Sequence, residues 1–137
     1  MRVLGLDLGD KTLGIAISDA LGVTAQARET FTFKTAHYKH ALEYVTEYVK
    51  KENVSMVILG LPKNMDNSEG ERAEISRRFA KRIENATGVR VMLWDERLTT
   101  MQVERTLIEC GVRRENRKKH IDKLAATVIL QSYLDAR

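Results

Sequence analysis

Hydrophobic residues near the start of the chain follow the pattern of short strands. Residues 3–8 and 13–18 form two apolar runs, and the turn-forming pair Gly9 and Asp10 lies between them. Two such runs with a short connection predict a β-hairpin. Two phenylalanines alternate with threonines over residues 30–33, and this alternation predicts a third strand.

The middle of the chain alternates between helical and strand patterns. Apolar residues recur at helical spacing over residues 41–49. Residues 55–60 form a continuous apolar run, which is typical of a strand buried on both faces. Residues 68–71 have the S-x-x-E form of a capping box, so a helix is predicted to begin there and to end at Gly88.

Three further elements complete the prediction. Residues 89–94 resemble a strand, and helices are predicted over residues 100–110 and from about Asp122 to residue 134. The order β-β-β-α-β-α-β-α-α predicts an α/β fold, in which a five-stranded mixed sheet is flanked by helices. We expect a single domain of residues 1–137. In open sheets of this kind, functional groups gather at the carboxyl ends of the parallel strands.

Composition excludes several classes of protein. Hydrophobic residues make up 43% and charged residues 31% of the 137 residues, which is typical of a globular chain. Cys110 is the only cysteine, so an internal disulfide scaffold is excluded. The longest apolar run, residues 56–61, is far shorter than the ~20 residues that cross a bilayer. Without a signal-peptide pattern, a cytoplasmic protein with no membrane partner is expected.

The positive charge of the chain is concentrated in one segment. The formal net charge is +4, and five cations with one anion lie within residues 113–119. The five cations are Arg113, Arg114, Arg117, Lys118 and Lys119. Such a segment attracts a phosphate backbone, or it is a solvated basic loop. Because aromatic residues make up only 6% of the chain, recognition of the backbone is favoured over base stacking.

Asp7 is the most informative candidate residue, because it interrupts an apolar strand. A buried carboxylate costs several kcal/mol unless it is paired or bound to a metal. The alternative is that a neighbouring lysine or the turn amides satisfy it. In the loop that follows, Lys11 and Thr12 can contact phosphate oxygens, although an ordinary hairpin turn would also contain such residues.

Two other places in the sequence carry candidate carboxylates. Asp95 and Glu96 follow a predicted strand, and because side chains alternate only one of them can face a given side of the sheet. Asp122 opens the last predicted helix, where it either caps the helix or points toward the sheet. Three separated carboxylates with a basic surface indicate Mg²⁺ or Mn²⁺ chemistry, since these ions prefer oxygen ligands. Zinc is disfavoured because the histidines and the cysteine lack ligand spacing.

Four motifs in order resemble the YqgF family of pre-16S rRNA nucleases, also described as Holliday-junction-resolvase-like proteins. They are GLDLGDKTLGIA at residues 5–16, GLPKNMD at 60–66, DERLTT at 95–100 and DKLAA at 122–126. The resemblance covers essentially the whole chain. It implies an RNase H-like fold, metal-dependent cleavage of nucleic acid with Mg²⁺ or Mn²⁺, and a role in maturing the 5′ end of small-subunit ribosomal RNA.

The resemblance also implies roles for individual residues. Asp7, Glu96 and Asp122 are the implied catalytic residues and metal ligands, with Asp95 as a rival to Glu96. For the nucleic acid, the implied contacts are Lys11, Arg97 and the loop of residues 62–66, which contains Asn64. Thr12 and the basic segment are candidate contacts as well. One position departs from the family, since Asn67 stands where glycine is common.

Several functions remain open at this point. The first hypothesis is a nuclease that acts on precursor ribosomal RNA. The second is a Holliday junction resolvase, which would need a homodimer to place two cuts in branched DNA, whereas RNA trimming would allow a monomer. The third is a non-catalytic RNA-binding factor of ribosome assembly. An ATPase-like module is disfavoured because 137 residues leave no second lobe to close over a nucleotide.

Overall fold

The computed structural model describes residues 2–64, 66–96 and 114–137, with the backbone alone for residues 114–123. Five strands and three helices occupy these residues. The strands are β1 (Arg2–Leu8), β2 (Thr12–Ser18), β3 (Ala25–Thr32), β4 (Val54–Leu61) and β5 (Arg90–Asp95). The helices are α1 (Tyr38–Lys51), α2 (Glu71–Thr87) and α3 (Arg114–Ala136). The helix predicted over residues 100–110 lies outside the described residues.

The five strands form one mixed sheet in the order β3-β2-β1-β4-β5. β2 is antiparallel to β1 and β3, whereas β4 is parallel to β1 and β5. The predicted hairpin and the predicted five-stranded mixed sheet flanked by helices are confirmed. Because β1, β4 and β5 are parallel, they end at one edge of the sheet, which we call the carboxyl edge.

Side chains of the central strands alternate between two buried layers. On one face, Leu4 and Leu6 of β1 pack with α1 and α2 in a core that includes Phe79. On the other face, Val3 packs with α3 in a core that includes Leu130. Each fully buried leucine contributes about 1.5–3 kcal/mol to the stability of the fold. Helices bury such side chains on both faces of the sheet. Burial on both faces explains the continuous apolar runs of β1 and β4.

α3 lies directly against the backbone of β1. A Cβ atom at Gly5 would lie 2.6 Å from Cβ of Leu130 and 2.9 Å from the carbonyl oxygen of Ala126, so glycine allows this approach. At the far end of the helix, the guanidinium of Arg137 donates to the carbonyl oxygen of Gly22, in the turn between β2 and β3. α3 therefore runs antiparallel to β1, and the turn that precedes Ala126 lies toward the carboxyl edge.

α3 begins earlier than the sequence predicts. It starts at Arg114 and not near Asp122. Residues 114–121 contain no glycine or proline and are rich in arginine and lysine, which favour helix. Asp122 therefore lies inside the helix, so of its two alternative roles the N-cap is wrong. Residues 114–119 belong to the same helix and not to a basic loop.

α2 begins close to the predicted position, but the predicted capping box does not form. Its N-cap is Gly70, which has no side chain to offer, and the hydroxyl of Ser68 donates to Asp66 at 2.5 Å instead. The predicted end at Gly88 is confirmed, with a left-handed φ of 74°. Asn67 has a φ of 72°, a conformation that asparagine tolerates better than most residues and that glycine adopts freely.

β3 is longer than predicted, because it begins at Ala25 and not near residue 30. It is an edge strand with mostly exposed side chains, so polar residues occupy both of its faces and no alternation marks its first half. Among the described residues, no helix has both the length and the apolar character that crossing a membrane requires.

Candidate active site

Two carboxylates meet at the carboxyl edge, on the face that α3 covers. Asp7 follows Val3 and Gly5 on that face of β1, since every second side chain of a strand points the same way. Glu96 comes directly after β5, whose Met92 packs on the same face. The side chains of Glu96 and Asp7 share a hydrogen bond. β1 and β5 are not neighbours, so the two carboxylates meet across the end of β4.

Gly60 of β4 provides the space in which these carboxylates meet. A Cβ atom at this position would collide with Oε2 of Glu96 and would lie 2.7 Å from Cδ1 of Ile129. Any larger residue would push the Glu96 side chain away from its place beside Asp7. The close approach of the Glu96 side chain therefore explains the glycine of the second motif.

The surroundings of Glu96 favour its protonated form. Burial, the charge of Asp7 and the hydrogen bond with Asp7 together raise the pKa of the Glu96 carboxyl to about 8, and burial is the largest of these causes. The guanidinium of Arg72 acts in the opposite direction and lowers this pKa. Two half-buried carboxyl groups in contact favour a shared proton or a cation, because their charges repel when both are ionised.

The structure distinguishes Glu96 from Asp95. Asp95 pairs with Leu61 as the last residue of the β4–β5 ladder. The amide of Glu96 continues the ladder by donating to the carbonyl oxygen of Leu61 at 3.3 Å. Because Met92 faces α3, alternation puts Glu96 on the face of Asp7 and puts Asp95 on the opposite face.

Arg72 is a residue of this edge that the sequence analysis missed. Its Nη1 donates to Oδ1 of Asp10 at 2.6 Å, and its Nη2 donates to the carbonyl oxygen of Leu8 at 2.9 Å. The guanidinium therefore holds the backbone directly after Asp7. In the sequence Arg72 is one of several arginines on α2, so only its place in the helix's first turn, beside the carboxyl edge, could have singled it out.

The β1–β2 loop exposes both of its predicted phosphate contacts. The amide of Gly9 donates to the carbonyl oxygen of Thr12 at 2.7 Å, which closes a tight turn. Lys11 and Thr12 are exposed at the carboxyl edge. The carbonyl oxygen of Lys11 accepts a hydrogen bond from the amide of Phe33 at 2.8 Å, so the backbone of the loop is anchored while its side chains face solvent.

The loop after β4 is closed by its own side chains. Nδ2 of Asn64 donates to Oγ of Ser68 at 3.0 Å, and the amide of Ser68 donates to Oδ1 of Asp66 at 3.0 Å. Asn64 is exposed at the carboxyl edge, as expected for a residue that could contact nucleic acid. Its amide nitrogen is already used to shape the loop.

Several predicted site residues cannot be placed with this pair. Arg97 and Arg113 lie outside the described residues. The remaining ones lie in the part of α3 that the structure describes by its backbone alone: Arg114, Arg117, Lys118, Lys119 and Asp122. Among the described residues, no three His, Cys, Asp or Glu side chains cluster as a metal site. Asp7 and Glu96 supply two oxygen donors, which fit the preference of Mg²⁺ or Mn²⁺ but not a complete ligand set.

Comparison with known proteins identifies the family. The family profile described as "RuvX: Holliday junction resolvase" matches residues 1–136. The chain belongs to the RuvX (YqgF) family. A Geobacillus sp. (strain WCH70) member named "Putative pre-16S rRNA nuclease" is 52% identical over 100% of this chain and 99% of its own length. A Bacillus subtilis (strain 168) member with the same name is 51% identical over 99% of each chain.

Solved structures confirm the RNase H-like fold. The chain is similar to Thermus thermophilus RuvC in complex with a Holliday junction substrate, with a TM-score of 0.59 and 19% identity over 100% of this chain and 95% of that one. It is also similar to the fowlpox virus Holliday junction resolvase, with a TM-score of 0.58 and 16% identity over 100% of both chains. At these identities the likeness concerns the fold alone, and it agrees with the fold that the four motifs implied.

Proposed function

We propose that this RuvX-family protein is a cytoplasmic, metal-dependent nuclease that hydrolyses phosphodiester bonds in precursor 16S ribosomal RNA, near its 5′ end. The observation that carries the proposal is the hydrogen-bonded, half-buried pair of Asp7 and Glu96 at the carboxyl edge. The names of its relatives, which are about half identical over the full length, support the class of reaction and the substrate.

The carboxylate pair has the chemistry of a divalent-cation site. Two half-buried carboxyl groups in contact repel each other when ionised, and a cation would remove that repulsion by replacing the shared proton. When bound, Mg²⁺ or Mn²⁺ would activate water and offset the charge of the phosphate. Asp122 is the proposed third ligand, because it lies one helical turn before Ala126, toward the carboxyl edge.

The residues around the pair would position the substrate. Lys11 and Thr12 are exposed beside it and could hold phosphate oxygens. Arg72 would keep the strand end in place through the carbonyl oxygen of Leu8. The basic residues 114–119 at the start of α3 would attract the remaining backbone of the nucleic acid.

Branched DNA is the second candidate substrate, and the description of the family profile favours it. The same carboxylates would cut DNA by the same chemistry. Resolution of a four-way junction requires two symmetrical cuts, so it requires a homodimer, whereas RNA trimming is possible for a monomer. Cleavage of a four-way junction would therefore also imply a homodimer.

The test is a cleavage assay with purified protein and Mg²⁺ or Mn²⁺. Precursor 16S rRNA with its 5′ extension and a four-way DNA junction are offered side by side to the wild type and to Asp7→Asn. Glu43→Gln is the matched control, since Glu43 is an exposed carboxylate of α1. We expect cleavage of the RNA that Asp7→Asn abolishes and Glu43→Gln preserves. A cut junction beside intact RNA would overturn the substrate, and full activity of Asp7→Asn would overturn the nuclease site.

A further inference from the structure

A small cleft lies between α1 and α2 near the carboxyl edge, on the face of the sheet away from α3. It has a volume of about 160 Å³ and is lined by Tyr38, Ile75, Arg78, Phe79 and Arg82. Phe79 is only 1% exposed and forms its floor. The cleft thus combines an apolar and aromatic floor with two guanidinium groups at its rim.

The two arginines of the cleft are available to a ligand. Arg78 pairs with Glu74 one helical turn away, but the two side chains are 71% and 61% exposed, so solvent and salt screen this pair and make it weak. Arg82 is exposed and forms no ion pair with the described residues. A phosphate could therefore engage both guanidinium groups at little cost.

Arg72 connects the cleft to the carboxylate pair. Its Nη1 lies 3.4 Å from the Tyr38 hydroxyl, which belongs to the lining of the cleft. Its Nη2 donates to the carbonyl oxygen of Leu8, the residue after Asp7. A chain of cationic and aromatic groups therefore leads from the carboxylates over the carboxyl edge into the cleft.

A second groove on the surface has a different balance of charged residues. A groove of about 450 Å³ between β3 and α1 is lined by two tyrosines, two cations and three glutamates. Its carboxylates outnumber its cations, so it repels a polyanion. The cleft between α1 and α2 has two cations and no carboxylate in its lining. The charge of this cleft is therefore complementary to a phosphate backbone.

We propose that the cleft between α1 and α2 binds the nucleic-acid strand that extends from the carboxylate pair. Arg78 and Arg82 hold its phosphates, and Tyr38 with the apolar floor takes up one base. The inference rests on the proposed function and deepens it, because it assigns a path to the substrate beyond the scissile bond. The path does not use the basic residues of α3.

The test measures binding in EDTA, so that no cleavage occurs. A fluorescein-labelled single-stranded RNA and a labelled four-way DNA junction are titrated with wild type and with Arg78→Gln/Arg82→Gln. The control, Lys81→Gln/Arg90→Gln, removes two exposed positive charges that lie outside the cleft. We expect a roughly tenfold loss of affinity and a slope of log K against log salt that is shallower by about 1–2, since each lost phosphate contact removes about 0.7–0.9 from it. The control should change affinity less than about twofold.

The outcomes separate the cleft from the proposed function. We expect the cleft variant to lose affinity for both probes, because both carry phosphates. A loss of affinity for one probe alone also supports the cleft and identifies its strand as RNA or DNA. Equal affinities of the cleft variant and the wild type, or equal losses in the cleft variant and the control, would overturn the proposal. Because binding is measured without cleavage, an active Asp7→Asn variant would refute the nuclease site and leave the cleft result intact.

Discussion

The pKa values of carboxylates at the two ends of the central strands are shifted in opposite directions. At the carboxyl edge, burial and the neighbouring Asp7 raise the pKa of Glu96 to about 8. At the other edge, the turn between β2 and β3 contains Asp19, whose Oδ1 accepts hydrogen bonds from the amides of Val23 at 2.7 Å and Thr24 at 3.3 Å. The hydrogen bond from Val23 is the main cause that lowers the pKa of Asp19.

The comparison separates a carboxylate pair whose charges repel each other from a carboxylate that its own turn satisfies. Asp19 is satisfied by the backbone of its own turn and needs no further partner. Asp7 and Glu96 are arranged so that one charge destabilises the other, which natural proteins tolerate mainly at sites that bind cations or carry out chemistry. The environment, and not the residue type, separates the two edges.

The largest effect should come from removing either member of the pair. Asp7→Asn and Glu96→Gln are expected to lower cleavage more than about 100-fold, because even the partners of metal ligands contribute about 10–100-fold. Asp19→Asn should leave cleavage within a factor of about two, although it loosens its turn. Single-turnover assays measure the cleavage rates of these variants. A loss of cleavage in Asp19→Asn as large as that in Asp7→Asn or Glu96→Gln would contradict the comparison.

The pH dependence of stability should have opposite signs at the two edges. The raised pKa of Glu96 stabilises the folded protein below the unfolded value near 4.5, and this contribution is lost as pH rises toward about 8. The slope is at most about 1.4 kcal/mol per pH unit for one proton. The lowered pKa of Asp19 has the reverse effect, since its contribution is lost as pH falls.

Urea unfolding between about pH 5 and 8.5 in EDTA measures this difference. Glu96→Gln should flatten the fall in the free energy of unfolding with rising pH, whereas Asp19→Asn should leave that fall in place. A wild-type slope that survives in Glu96→Gln would show that other groups are responsible.

Gly60→Ala should separate the geometry of the pair from the stability of the fold. The added Cβ collides with Oε2 of Glu96 and approaches Ile129, so we expect a loss of about 1–3 kcal/mol of stability together with a loss of cleavage. Gly88→Ala is the matched control. It strains a left-handed residue with nothing within 4 Å, so it should cost about 1 kcal/mol and leave cleavage unchanged. Unfolding midpoints and cleavage rates are measured for both variants, and normal cleavage by Gly60→Ala would contradict this account of Gly60.

The smallest effect is expected at Arg72. Arg72→Gln removes the hydrogen bonds to Leu8 and Asp10, and we expect its kcat to be about tenfold lower than that of the wild type. The kcat of Arg72→Lys should lie between those of Arg72→Gln and the wild type. The control is Arg77→Gln, because Arg77 is on the same helix but forms its two-point ion pair with Glu69 and not with the backbone after Asp7. Steady-state kinetics measure kcat for these variants. If Arg72 only stabilises the fold, Arg72→Gln will lower the unfolding midpoint without changing kcat.

Local pattern was enough for most of the fold. Apolar runs and turn residues predicted all five strands, and Gly88 predicted the end of α2, because these signals act over a few neighbouring residues. Predicted starts were less accurate. α3 begins at Arg114 because residues 114–121 also favour a helix, and aspartate, although a common N-cap, is tolerated inside a helix as well.

By itself, the sequence determined the order of the described elements and the four motifs, and it singled out Asp7 as a polar interruption of an apolar strand. Only the tertiary structure decided that Glu96 and not Asp95 lies beside Asp7, because strand alternation has a period of two and an error of one residue inverts the answer. It also brought Arg72 to Leu8 and Gly60 to Glu96. These contacts join residues far apart in the chain, and they depend on how the strands pair and not on any local preference.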